Sequence, residues 1–135
     1  MDMKNPIDTP QILGIDVVFI HTKNPVKLAQ WYKEHLGLEI GFSTSDMHWQ
    51  EFDFNQDIST TRFALDSIGE EPSEVEEQPI MISFKVADIE DSVKKLESKG
   101  VEFYGKEKIN DVGPTLIAIF QDLDGNWIQI SQKKQ

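Results

Sequence analysis

The chain states one pattern twice, with a period of about 64 residues. In the first half, Val17-Val-Phe-Ile leads to Asn24-Pro25, then to an amphipathic run that stops at Gly37 and reopens with Leu-Glu-Ile. In the second half, Met81-Ile-Ser-Phe leads to Asp88, then to a similar run that stops at Gly100 and reopens with Val-Glu-Phe. Two copies within 135 residues imply two supersecondary units, neither able to bury its apolar face alone. The order and spacing carry the repeat, because residue-by-residue identity between the halves is weak.

Each copy reads as β-α-β-β-β. Ile12 to His21 is rich in β-branched residues, as a buried strand should be. Asn24 is suited to cap a helix with Pro25 at its first position, where a missing N–H costs nothing. Val26, Ala29, Tyr32 and Leu36 fall near helical spacing, and Gly37 supplies a left-handed end. Three strands are expected between Leu38 and Asp66, the clearest being Trp49–Phe54 and Arg62–Asp66, joined by a polar turn over Asn55–Thr61. In the second copy, Ile80–Val86 is a strand, Asp88 caps a helix with Ile89, Val93 and Leu96 on one stripe, and Gly100 ends it. Strands are then expected at Val101–Tyr104, Leu116–Phe120 and Trp127–Ser131, with Asp124-Gly125 marking the last hairpin.

The expected organisation is one domain over residues 1–135, with repeats at 12–68 and 80–131 and an acidic linker at 69–79. Five of the 24 acidic residues, Glu70, Glu71, Glu74, Glu76 and Glu77, fall in that linker, so much of the net charge of −11 reads as a solvated face. A chain this acidic lacks the clustered Lys and Arg of a nucleic-acid-binding face. No apolar run approaches the roughly 20 residues of a membrane span, and the first residues lack the apolar core of a signal peptide. Zero cysteines remove disulfides, thiolate metal sites and thiol nucleophiles, and a cytoplasmic location follows as the default.

Two segments then carry a family resemblance. Trp31-Tyr-Lys-Glu-His-Leu-Gly37 resembles the first-helix signature of the vicinal oxygen chelate superfamily, which includes glyoxalase I, extradiol dioxygenases and bleomycin-resistance proteins. Asp122-Leu-Asp-Gly-Asn-Trp-Ile-Gln-Ile is similar to its last-hairpin signature, where a carboxylate normally stands at the position of Gln129. Trp49-Gln-Glu-Phe-Asp-Phe also resembles a middle strand of its small members, and the likeness spans most of residues 12–131. The resemblance implies an α+β fold of two β-α-β-β-β repeats forming a curved eight-stranded mixed sheet around a central cavity. It also implies, as in many small members, a homodimer.

In metal-using members, four inward positions hold the ion; here they fall on Val17, Ala64, Met81 and Gln129. Valine and alanine have no lone pair, a thioether is too soft for Mg²⁺, Mn²⁺, Fe²⁺ or Zn²⁺, and a neutral amide is a poor lone anchor. The expectation is therefore no metal and no cofactor. His21 is the histidine nearest to these positions, but no paired His-x-Asp/Glu or His-Glu-x-x-His motif is present to relocate a site.

By strand alternation, the same face adds Phe19, His21, Arg62, Asp66, Ser83, Lys85, Trp127 and Ser131. The opposite face (Val18, Ile20, Phe63, Leu65, Ile82, Phe84, Val86, Ile128, Ile130) is uniformly apolar and suits packing under the helices. Phe52 and Phe54 draw their side of the middle strand to the core, which turns Trp49 and Glu51 to the first face. The candidate ligand-binding set is Phe19, His21, Trp49, Glu51, Arg62, Asp66, Met81, Trp127 and Gln129. Ordinary packing is the competing account of Trp49 and Trp127, and a solvated edge or a salt bridge with Arg62 or Lys85 is that of Glu51 and Asp66.

This pattern leans away from catalysis and towards a small-molecule-binding protein that sequesters a cationic or aromatic compound. The alternative is a lyase, isomerase or dioxygenase with an altered or relocated active site, for which a His21–Glu51 or Glu51–Asp66 acid/base pair is conceivable. The identity of the ligand is not written in the sequence.

Overall fold

The computed structural model describes residues 8–54 and 61–134. The expected turn at Asn55–Thr61 thus lies largely outside the described residues, as do the first seven residues. The first repeat contains β1 (Ile12–Thr22), α1 (Pro25–Leu36), β2 (Glu39–Ser43), β3 (Trp49–Asp53) and β4 (Arg62–Ser67). The second contains β5 (Ile80–Val86), α2 (Ile89–Ser98), β6 (Asn110–Asp111), β7 (Thr115–Gln121) and β8 (Trp127–Lys133). Together the strands form an eight-stranded mixed sheet in the order β2-β3-β4-β1-β5-β8-β7-β6. Outward from the middle, each copy runs first, fourth, third and second strand, so the duplication in sequence is a duplication in topology. The pairing of β1 with β4 is parallel, whereas β2–β3, β3–β4, β6–β7 and β7–β8 are antiparallel.

The compact units do not coincide with the repeats. One comprises residues 17–82 and the other residues 1–16 with 83–135, so β1 and β5 each pass from one unit to the other. In the unit of residues 17–82, α1 lies on a core of Ala29, Phe52 and Leu65, flanked by Ile20, Leu28, Tyr32, Leu38, Ile40 and Phe63. Tyr32 meets Phe52 and Phe63 edge-on at 5.4 and 5.6 Å, and these two phenylalanines stack at 5.2 Å. The expected stripe of α1 needs correction: Val26 and Leu36 are 49% and 60% exposed. A turn of 3.6 residues puts Leu28, Ala29 and Tyr32 on the sheet side and leaves Val26 and Leu36 outside it. Phe54 is likewise exposed, beyond the end of β3.

In the other unit, α2 buries Ile89, Ser92 and Val93. The core there is Val86, Ile89, Val93, Ala118 and Ile130, with Phe84, Leu96, Phe103, Ile109, Leu116 and Phe120 around it. The strand expected at Val101–Tyr104 is reduced to a single bridge of Phe103 with Phe120, and β6 forms later at Asn110–Asp111. Gly105, at φ +92°, turns the backbone immediately after Tyr104, so pairing with β7 cannot continue there.

Capping chemistry ends both helices as the repeat requires. Asn24 Oδ1 accepts from Lys27 N at 3.0 Å, and Asp88 Oδ1 from Asp91 N at 3.1 Å. Gly37, at φ +70°, closes α1 by donating its N–H to the Lys33 carbonyl at 3.0 Å. The acidic stretch after β4 is ordered locally, not merely solvated. Ser73 N donates to Glu76 Oε1 at 3.0 Å, Glu76 N donates to Ser73 Oγ at 3.3 Å, and Val75 between them is buried.

Candidate functional site

The register of the unit of residues 17–82 sets one sheet face in rungs. His21 lies opposite Asp66, which lies opposite Trp49; Phe19 lies opposite Ala64, which lies opposite Glu51; Val17 lies opposite Arg62. Side chains at paired positions share a face, so six residues singled out by alternation stand together with Val17 and Ala64. Ala64 is fully buried beneath its neighbours, and Val17 and Phe19 are buried as well.

Glu51 is the hub of the polar contacts. Arg62 Nη1 donates to Glu51 Oε1 at 2.7 Å, and Trp49 Nε1 donates to the same oxygen at 3.2 Å. The carboxylate is one-fifth exposed and the guanidinium two-fifths, so the pair sits at the edge of solvent. Phe19 backs this group, with its ring 5.3 Å from Trp49 and 5.5 Å from the His21 imidazole, which it meets edge-on. Trp49 is therefore both a packing residue and a donor to the carboxylate.

The other end of the face is built on His21. Its Nδ1 lies 2.6 Å from the Gln78 carbonyl oxygen, and its own N–H donates to the Pro79 carbonyl at 2.9 Å. Asp66, across the rung, is half-buried. Burial pushes its carboxyl up to about 6, Glu76 adds to the rise, and His21, His48 and the Ser67 N–H pull against it. Gln78 also donates through Nε2 to Met81 Sδ at 3.3 Å and to the Ile80 carbonyl at 2.9 Å. Sequence reasoning missed Gln78 and Glu76, because both belong to the segment read as a plain linker.

The remaining two candidates, Trp127 and Gln129, belong to the other unit. Gln129 is buried and donates through Nε2 to Ser83 Oγ at 2.9 Å. Ser131 Oγ donates to Asp16 Oδ2 at 2.9 Å, and Trp127 packs edge-on against Tyr104 at 5.2 Å. Gln129 thus has a neutral partner, whereas Ser131 meets the Asp16 carboxylate.

The residues do not fit a divalent metal at the four positions that the resemblance marks. Val17 and Ala64 carry no donor, Met81 offers a soft thioether already engaged by Gln78, and the Gln129 amide is held by Ser83. Among the described residues, no group of three or more His, Asp or Glu is placed to hold an ion elsewhere, so His21, Glu51 and Asp66 are not a relocated metal site. Among the described residues, too, no helix is long and apolar enough to cross a membrane.

Comparison with known proteins places these residues in a wider group. The uncharacterized protein YraH of Bacillus subtilis (strain 168) is 27% identical over 110 residues, covering 77% of this chain and 86% of YraH. The methylmalonyl-CoA epimerase of Mycobacterium tuberculosis superposes with a TM-score of 0.71 at 19% identity, covering 94% of this chain and 92% of the epimerase. A variant of Streptomyces coelicolor methylmalonyl-CoA epimerase in complex with 2-nitronate-propionyl-CoA gives 0.70 at 17% identity, covering 93% of this chain and all of that one. At such identities the likeness establishes the fold. It also corrects the leaning away from catalysis, because chains of this architecture are repeatedly methylmalonyl-CoA epimerases. A model of the glyoxalase/bleomycin resistance protein/dioxygenase superfamily matches residues 14–130, and the chain belongs to that superfamily.

Proposed function

We propose that this protein is an isomerase that moves a proton at a carbon next to a carbonyl group, with Glu51 as its base. The epimerases that share the fold supply the reaction class, and the ion pair of Glu51 with Arg62 at 2.7 Å is the observation that carries it to these residues. Both contacts on Glu51 described above fall on Oε1, so this reading assigns Oε2 to the substrate hydrogen. As Glu51 takes the proton, the electron pair of the broken C–H bond moves into the carbonyl and forms an enolate. Glu51 becomes neutral at that moment, and the Arg62 guanidinium beside it faces the new oxyanion. The guanidinium is then worth more in the transition state than in the ground state, which is what accelerates a reaction.

Phe19 and Trp49 form the apolar wall that limits water at the carbon. The substrate is a small carbonyl compound with an acidic α-hydrogen. With a net charge of −11, a neutral or cationic compound suits the chain better than a polyanionic carrier. Cysteine-free composition is consistent with a cytoplasmic site of action, and a homodimer is the assembly this reading expects.

Deuterium uptake by single stereoisomers tests the reading, with methylmalonyl-CoA as the first probe and uncharged α-branched thioesters and ketones beside it. The chelated protein is expected to interconvert stereoisomers in D₂O, and Glu51→Gln to lower that rate by about 10²- to 10⁴-fold. No exchange from any probe, or a Glu51→Gln protein as fast as the parent, would sink it.

A further inference from the structure

The Trp49 indole reaches Glu51 from the first residue of β3, a strand end, where backbone is ordinarily loosest. The turn before it supplies what the strand end lacks. In a regular antiparallel pair, Thr44 and Trp49 would exchange both of their backbone N–H and carbonyl bonds. Only one is made, from Thr44 N to the Trp49 carbonyl at 3.1 Å, because the Thr44 carbonyl accepts from Met47 N at 2.9 Å instead. The Trp49 N–H is taken by the Thr44 side chain, whose Oγ1 accepts it at 3.1 Å. One residue thus holds both backbone groups of Trp49.

The rest of the turn keeps that hydroxyl in place. Its own hydrogen goes to Asp46 Oδ1 at 2.7 Å, which polarises the oxygen as an acceptor. Asp46 Oδ1 also accepts the His48 N–H at 2.9 Å, and Oδ2 faces the His48 ring Nδ1 at 3.2 Å. At the apex stands Met47, with φ +64°, the one non-glycine residue at positive φ among the described residues. Such a conformation persists where its surroundings over-determine it. Buried Gln50 does so from the opposite face of β3: its Nε2 donates to the Met47 carbonyl at 3.1 Å, and its Oε1 accepts from Ser43 Oγ at 3.0 Å. Ser67 N donates to the His48 carbonyl at 2.7 Å and ties the turn to the end of β4.

We propose, resting on the isomerase reading, that Thr44 is a positioning residue of this site. It holds Trp49 so that the indole N–H fixes Oε1 of Glu51 and leaves Oε2 aimed at the substrate hydrogen. Thr44 acts through the indole and not on the reacting atoms. Its leverage comes from geometry, because a base misplaced by about 1 Å can lose about 10²-fold in rate. The polar turn is therefore part of the preorganisation of the base, set before any substrate arrives.

The test compares Thr44→Val, which keeps the shape and removes the hydroxyl, with Thr44→Ser, which keeps the hydroxyl. Trp49→Phe keeps a ring and removes the indole N–H. Turnover is measured on a probe that wild type isomerises, and water exchange of the indole N–H groups is followed by NMR. The Trp49 signal is assigned by its absence from Trp49→Phe, and Trp127, in the other unit, reports global unfolding. Thr44→Val is expected to speed exchange at Trp49 but not at Trp127, and to lower kcat about 10-fold with KM within about two-fold. Thr44→Ser should match wild type in both readouts. Trp49→Phe should lower kcat by a similar factor, and adding Thr44→Val to it should cost nothing further, because the link is already gone. Losses that multiply in the double variant overturn this inference and leave Glu51 as the base. So does a Thr44→Ser protein as slow as Thr44→Val, or exchange at Trp49 that Thr44→Val leaves unchanged or raises no more than at Trp127. Wild type that turns over no probe overturns the isomerase reading, and the catalytic role of Thr44 with it.

Discussion

The two copies of the repeat have the same topology and different chemistry. In the unit of residues 17–82, the face formed by β1, β4 and β3 gathers His21, Asp66, Trp49, Glu51 and Arg62 around a buried floor of Phe19 and Ala64. At matching positions of β5 and β8 in the other unit stand Ser83, Lys85, Gln129 and Ser131; Gln129 is held by Ser83, and Ser131 by the Asp16 carboxylate. On β7 the partners of Gln129 and Ser131 are Ile119 and Ile117. The lesson is a division of labour: a duplicated fold needs strands from both copies, but only one copy gathers His, Asp, Glu and Arg on one face. The apolar faces under the helices are alike in both, because burial of α1 and of α2 asks the same thing of each.

The largest effect expected from this comparison is on turnover. Glu51→Gln should reduce isomerisation by about 10²- to 10⁴-fold, whereas Ser131→Ala, in the second copy, should leave it within a few-fold. Steady-state rates on a common probe decide it. Equal losses from both substitutions would mean that the second copy takes part in the chemistry, and the division would fail.

The second effect treats the copies as equals. Leu65 is the fully buried centre of the α1 core, and Ile130 occupies the same place under α2. Truncating either to alanine should cost about 2–5 kcal/mol in urea unfolding, by lost burial plus the cavity left behind. A large cost at one and a negligible one at the other would show that the copies do not share the burden of folding.

This contrast marks how far the sequence could be read. The repeat, the caps at Asn24 and Asp88, and the apolar set of Ile20, Phe63, Leu65, Phe84, Val86 and Ile130 were legible, because periodicity and capping are local properties. The residues reached by alternation from Val17 and Trp49 stand on neighbouring register positions of β1, β4 and β3. Pairwise contacts were not legible: nothing in the spacing says that Trp49 and Arg62 meet on one oxygen of Glu51, or that the linker supplies Gln78 to His21. The strand at Val101–Tyr104 failed because its apolar alternation outweighed the turn at Gly105 in the reading, while β6 at Asn110–Asp111 is too short and polar to announce itself. The leaning away from catalysis failed for another reason. Missing metal donors test one kind of chemistry, and a carboxylate beside a guanidinium needs no metal to move a proton.

A smaller pair of effects separates the first copy from the second by pH. The folded Asp66 carboxyl is raised above its ordinary value of 3.8 to about 6, so its ionisation is penalised in the native state. Wild type should therefore lose stability as pH rises from about 4 through 6, and Asp66→Asn, which does not ionise, should be spared that loss. The full shift corresponds to about 3 kcal/mol, and partial exposure reduces the expected gain at pH 8 to about 1–2 kcal/mol. Ser83→Ala removes the acceptor of the buried Gln129 amide and should cost about 1–3 kcal/mol, with no dependence on pH over the same range. Urea titrations at pH 4 and pH 8 distinguish the two; a difference between wild type and Asp66→Asn that is the same at both pH values would remove burial as the cause of the shift.

The smallest effect lies at the helix starts, where the caps differ by one charge. The side chains of Asn24 and Asp88 accept equivalent bonds, so alanine at either should cost about 1 kcal/mol. Charge at the cap is another matter. The first turn of α1 has no acidic residue, whereas that of α2 already carries Glu90 and Asp91. Asn24→Asp therefore adds the first anion to an unopposed helix dipole and should stabilise by about 0.3–1 kcal/mol at low salt. Asp88→Asn removes one anion of three and relieves its repulsion with the other two, so its cost should be smaller than the gain at Asn24. Both differences should shrink together as salt is raised to about 1 M, where the screening length is about 3 Å. If the gain at Asn24 survives high salt, hydrogen bonding and not charge sets the cap, and the helices of the two copies are electrostatically the same.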